Sequence, residues 1–135
     1  MSIPAWLRAV LLAGLLYLAI GLGTADLARF SGAAWRLVAW AASLAVFLTH
    51  LAYERSRLRS APVTAAWHTA VSVALGAFGL ALAATLRATA SGNYRGAFAV
   101  ALVAWPAMTG VAAFVAGWVI VRAVKQLNRS TQDTP

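Results

Sequence analysis

The fold is decided by the stretch Leu37–Leu86, LVAWAASLAVFLTHLAYERSRLRSAPVTAAWHTAVSVALGAFGLALAATL. It contains two long apolar runs joined by the short polar segment Glu54-Arg55-Ser56-Arg57-Leu58-Arg59-Ser60. A hydrocarbon core of about 30 Å is crossed by about 20 apolar residues in helical form. A link this short returns the second helix antiparallel to the first. The only two histidines, His50 and His68, lie one in each run, and Arg59 is nine residues from both. A hairpin turning at Arg59 therefore brings the two rings to the same depth, about 10 Å in from the turn.

Two more apolar stretches flank this hairpin. The 135 residues are 62% hydrophobic and 10% charged, with mean hydropathy +0.78. A water-facing domain carries about a quarter charged residues, so the deficit points into the bilayer. The pattern predicts an all-α membrane protein, a four-transmembrane-helix up-down-up-down bundle. Its helices are expected over roughly 3–25, 33–57, 61–86 and 95–124, as one domain, with a polar, disordered cytoplasmic tail at about 126–135. With no cysteine, disulfides, thiolate metal sites and cysteine nucleophiles are excluded.

The net charge of +8 would suggest nucleic acid in a soluble protein. In an apolar chain it marks cytoplasmic loops and anionic lipid headgroups, so the expected partner is the lipid bilayer and not nucleic acid. One side of the bundle collects Arg8, Arg55, Arg57, Arg59, Arg122, Lys125 and Arg129, the other Arg29, Arg36, Arg87 and Arg95. This bias places both termini in the cytoplasm and the protein in the cell (inner) membrane. A rival reading takes Val10–Ile20 as the apolar core of a signal peptide, with Gly23-Thr24-Ala25 as its cleavage site. Arg8 alone makes a thin basic segment for it, so a retained first helix is preferred.

Local signals set the helix ends. Pro4 and Pro62 suit first turns, Ser31 and Ser60 suit N-caps, and Ser91-Gly92-Asn93 suits a turn. In the second helix Arg36, Trp40, Ser43, Phe47, His50, Glu54 and Arg57 fall on one stripe. Polar groups are costly in lipid, so the centre of this stripe is expected to face the bundle interior. In the third helix His68, Ser72, Gly76, Gly79 and Ala83 form a small and polar stripe. Small residues let backbones approach closely, and this stripe is expected to pack on the second helix. Pro106 is expected to kink the fourth helix.

The candidate site is the polar cluster of His50, His68 and Glu54, with Arg8 and Ser72 beside it. Imidazole and carboxylate suit a divalent metal such as iron or zinc, and two histidines suit a b-type haem. Close packing of the two helices, about 8–10 Å apart, leaves no space for a haem between them. A third reading has the cluster relaying protons or contacting a quinone or ion. Against these stands a purely structural role, in which the histidines, Glu54 and Ser72 bond to one another and fix the hairpin. No cofactor is therefore expected outright. Tyr17, Trp40 and Trp105 lie at similar depth and are a candidate apolar pocket. Trp6, Trp35, Trp67 and Trp118 read as interfacial belts.

No phosphate-binding glycine loop, His-Glu-x-x-His or Ser/His/Asp set is present, and Asp26, Glu54 and Asp133 are the only carboxylates. The expectation is a non-enzymatic accessory or scaffold subunit that associates through small-residue helix faces, with a homo-oligomer as one form. A metal-, haem- or quinone-linked protein using His50, His68 and Glu54 is the alternative, and a small oligomeric transporter the third.

Overall fold

A computed structural model describes residues 3–27 and 33–130, except the side chains of 26, 27 and 128–130. Among the described residues the chain forms four helices: α1 (Ala5–Leu27), α2 (Ala34–Ser56), α3 (Pro62–Ala90) and α4 (Ala97–Ser130). Each is long and apolar enough to cross a membrane. At 1.5 Å per residue the shortest, with 23 residues, measures about 35 Å, more than a hydrocarbon core requires. Ser31, the expected cap of α2, lies outside the described residues. α4 runs on to Ser130, past the start of the tail expected at residue 126, and the rest of that tail, 131–135, lies outside the described residues. Val124-Lys125-Gln126-Leu127 contains no helix breaker to stop it.

The turn between α2 and α3 is tight. Arg57 N–H and Leu58 N–H both bond to Tyr53 O, and Ser60 N–H bonds to Glu54 O. Arg59 takes a positive φ of 52°, a conformation non-glycine residues adopt only under local constraint. Ala61 is extended, as the residue before a proline prefers to be, and Pro62 opens α3. Ala61 occupies the cap position with no side-chain bond; Ser60, expected there, turns its hydroxyl elsewhere. The far end of α3 closes through Gly92, whose φ of +70° lets Asn93 N–H reach Ala88 O.

The third helix is the centre of the molecule. It touches α4 most extensively, then α1, and α2 least. The reason is its small residues: Ala65, Ala66, Thr69, Ala70, Ser72, Gly76 and Ala77 are all buried. A Cβ at Gly76 would collide with Tyr17 Cβ and lie 3.1 Å from Gly14 O, and one at Gly79 would lie 3.0 Å from Leu18. The Gly76 and Gly79 part of the stripe therefore packs on α1, while its polar start meets α2 as the spacing suggests, His68 at Glu54 and Ser72 at His50. On the opposite side Gly110 and Gly117 of α4 close on Ala74 and Ala66. These small residues are thus in contact within the molecule.

With α1 holding Gly76 and Gly79, α2 fully buries side chains only in its second half. Its buried residues are Phe47, His50, Leu51 and Glu54. The polar stripe accordingly faces inward from Phe47 to Glu54, while Trp40 further up is 76% exposed.

Candidate functional site

The second half of α2 and the first half of α3 carry a connected polar network. Glu54 lies at its centre and is fully buried. Its Oε1 accepts from His68 Nδ1 at 3.0 Å and its Oε2 accepts from the Ser60 hydroxyl at 2.6 Å. The latter distance falls in the range of hydroxyl–carboxylate bonds that carry charge. Ser60 can reach back because it follows Glu54 by six residues across a turn that doubles the chain on itself. Trp6 of α1 stacks on the far face of His68, centroids 4.9 Å apart and planes within 13°.

His50 lies one helical turn from Glu54. Its Nδ1 and Ser72 Oγ are 3.1 Å apart, and the Ser72 hydroxyl donates to Thr69 O at 2.8 Å. A hydroxyl has a single proton. Ser72 therefore accepts from His50, which fixes the imidazole proton on Nδ1. His50 Nε2 points toward Glu54 Oε1 at 3.7 Å, too long for a hydrogen bond, and is buried without a partner. Thr69, also fully buried, returns its hydroxyl to Ala65 O within its own helix.

The three candidate ligands are engaged in hydrogen bonds within the hairpin. Among the described residues no three of His, Asp or Glu form a set able to hold a metal ion. The physical reason lies in the bonding just described: His50 Nδ1 is committed to Ser72, and His68 Nδ1 and Glu54 satisfy one another. Glu54 Oε1 lies 3.0 Å from His68 Nδ1 and 3.7 Å from His50 Nε2. The residues expected to ligate are brought together, but as one another's partners.

Arg8 stands apart from the network. Its Nε donates to Ile3 O at 3.0 Å, and it makes no ion pair with Glu54. It lies instead on the rim of a groove of about 710 Å³ between α1 and α2, with His50, Thr49 and Tyr53 at the same end and Leu12, Leu16 and Val46 farther down. Small residues on both helices, Ala5, Ala9 and Ala13 of α1 and Ala45 of α2, leave this space between them.

The aromatic pocket expected from Tyr17, Trp40 and Trp105 is corrected. Tyr17 is buried between α1 and α3, whereas Trp40 and Trp105 are exposed on different helices. Depth alone placed them together, and helix rotation separates them. Trp6 and Ser60, read as a belt residue and a cap, belong to the site instead. Ser60 was within reach of inference, since so short a link cannot carry it far from Glu54. The register of α1 against α3, which sets Trp6 on His68, has no sequence signal. Comparisons with known protein families, curated proteins and solved structures return no match, so the reading of this site rests on its own chemistry.

Proposed function

We propose that the chain is a multi-pass membrane protein that crosses four times, up-down-up-down, with both termini in the cytoplasm of the cell. We further propose that it is an accessory subunit with no catalysis of its own. The observation that carries the membrane reading is the outward surface. Leu12, Leu37, Trp40, Val103, Met108 and Val111 each expose more than 60% of their area. So continuous an apolar girdle is a surface for lipid or for another membrane protein. The alternation of direction is supported by paired residues. His50 meets Ser72 and Glu54 meets His68, descending in α2 as they rise in α3. Along α1 and α3 both rise together, Trp6 with His68 and Gly14 with Leu75.

The accessory role is supported by the closure of the polar network. Glu54 takes its hydrogen bonds from the hairpin itself, and its one remaining neighbour, His50, belongs to the same hairpin. Such a network holds the hairpin and offers no reactive set to a substrate. The outward faces of α2 and α4, not the small-residue faces, are where a protein partner docks.

The natural absence of cysteine makes the topology directly testable. Arg59→Cys and Ser91→Cys each introduce one thiol, at the α2–α3 and α3–α4 turns. An impermeant maleimide is expected to label Ser91→Cys in intact cells and Arg59→Cys only after permeabilisation. The reverse pattern would overturn the orientation, and labelling of both from one side would overturn the four crossings. Native electrophoresis of the protein extracted in mild detergent is expected to show it with a second membrane protein. A solitary homo-oligomer that moves a substrate in vesicles would replace the accessory reading with the transporter.

A further inference from the structure

The groove between α1 and α2 meets the polar network only at His50. Its volume of about 710 Å³ lies in the range of ligand clefts, about 300–1,000 Å³. Ala5, Ala9, Ala13 and Ala45 make room for it, and Leu12, Leu16 and Val46 make its length apolar. It is open along one side, toward the surface that the membrane reading assigns to lipid. An acyl chain can therefore enter it sideways while its headgroup stays at the interface.

The polar end is asymmetric in charge. Arg8, Thr49, His50 and Tyr53 line it, and no carboxylate does, because Glu54 is shut inside the hairpin. Arg8 is the fourth residue of α1, about one turn in from its start. Its side chain turns back toward that start: Nε is held by Ile3 O, which leaves both terminal amino groups of the guanidinium for another acceptor. A planar, doubly donating cation at headgroup depth, above an apolar slot, is complementary to a phosphate carrying a long chain. The chain as a whole, at +8, favours an anionic lipid over a zwitterionic one.

We infer that this groove is a binding site for an anionic glycerophospholipid, with the phosphate on the Arg8 guanidinium and one acyl chain lying between Leu12, Leu16 and Val46. This rests on the membrane reading above. The second acyl chain stays in the bilayer, and the exposed hydroxyl of Thr49 and the phenol of Tyr53 stand beside the headgroup. The lipid fills the gap between the first half of α1 and the second half of α2.

The test uses the full chain in nanodiscs of phosphatidylcholine containing a small fraction of phosphatidylglycerol with a photoreactive group at mid-chain. Cross-links mapped by mass spectrometry are expected to concentrate on Leu12, Leu16 and Val46 over Val103 and Val111 of α4, which serve as the bulk-lipid reference. Arg8→Gln, an exposed change that leaves the network intact, is expected to lower the groove signal about five-fold. Ala45→Phe, which fills the slot without touching the polar residues, is expected to abolish it while the α4 signal persists. Equal labelling of groove and α4 would overturn the site. Equal groove labelling by a phosphatidylcholine probe, or no loss in Arg8→Gln, would overturn the role of the anionic head. A chain that does not enter the nanodisc overturns the membrane reading, whereas an inserted chain with uniform labelling overturns the lipid site alone.

Discussion

Removing the carboxylate at the centre of the network, Glu54→Ala, leaves two groups without their acceptor and a third without its charged neighbour. His68 Nδ1–H and the Ser60 hydroxyl lose direct bonds of 3.0 and 2.6 Å, and His50 Nε2 loses the charge it faces at 3.7 Å. Hydrogen bonds to a charged group contribute about 1.5–3 kcal/mol each. Ser60 lies in the turn and regains water, and His68, with 15% of its side chain exposed, regains it in part. The loss is therefore set near the lower end of that range for each bond, about 3 kcal/mol together. Glu54→Gln is the informative companion. Its amide oxygen still accepts from His68 and its amino group donates to Ser60 once that hydroxyl rotates. A buried ion pair replaced by matched neutral groups changes stability little, so this substitution is expected to cost about 1 kcal/mol. Reversible unfolding in mixed micelles of rising dodecyl sulfate fraction, followed by tryptophan fluorescence, measures both. Glu54→Ala within about 0.5 kcal/mol of the wild type would refute the reasoning, because no network holding the hairpin can be lost so cheaply. A Gln variant as unstable as the Ala variant would show that charge, and not hydrogen-bond matching, holds the turn.

Four further outcomes follow from individual contacts. Gly76→Ala drives a methyl group into Tyr17 Cβ and against backbone of α1, and is expected to lower stability by about 1–3 kcal/mol in the same unfolding assay. Gly23→Ala, with nothing within 4 Å, is expected to be neutral or to stabilise by up to about 1 kcal/mol through helix propensity. Tyr17→Phe removes a buried hydroxyl that has no partner and is expected to raise stability by about 1 kcal/mol; a loss of that size would mean the hydroxyl is bonded. Trp6→Leu keeps the apolar bulk but ends the stacking on His68, an expected loss of about 0.5–1.5 kcal/mol, checked against Trp35→Leu as a control.

Much of this architecture is legible along the chain because it depends on local chemistry. Four apolar runs of helical length, the brief link at Arg59, the proline at the start of α3 and the glycine at its end are each decided within a few residues. The meeting of His50, Glu54, His68 and Ser72 follows from the same hairpin arithmetic, since equal distances from a tight turn give equal depth. Ser60 was hidden only because capping is the commoner use of a serine before a helix.

Local chemistry along the chain is thus enough for the number of helices, the short turns between them, and the level at which the polar side chains sit. Which helix presses against which was decided by tertiary structure alone. The Ser72, Gly76 and Gly79 stripe of α3 admits any helix that brings a compatible surface. Gly14, with Tyr17 and Leu18 packed over Gly76 and Gly79, makes α1 that helix, and no periodicity within α2 or α3 announces it. Once α1 takes Gly76 and Gly79, α2 fully buries side chains only in its polar half, and Trp40 turns outward. A close approach is a property of two surfaces at once, so it is absent from either stretch of sequence read alone.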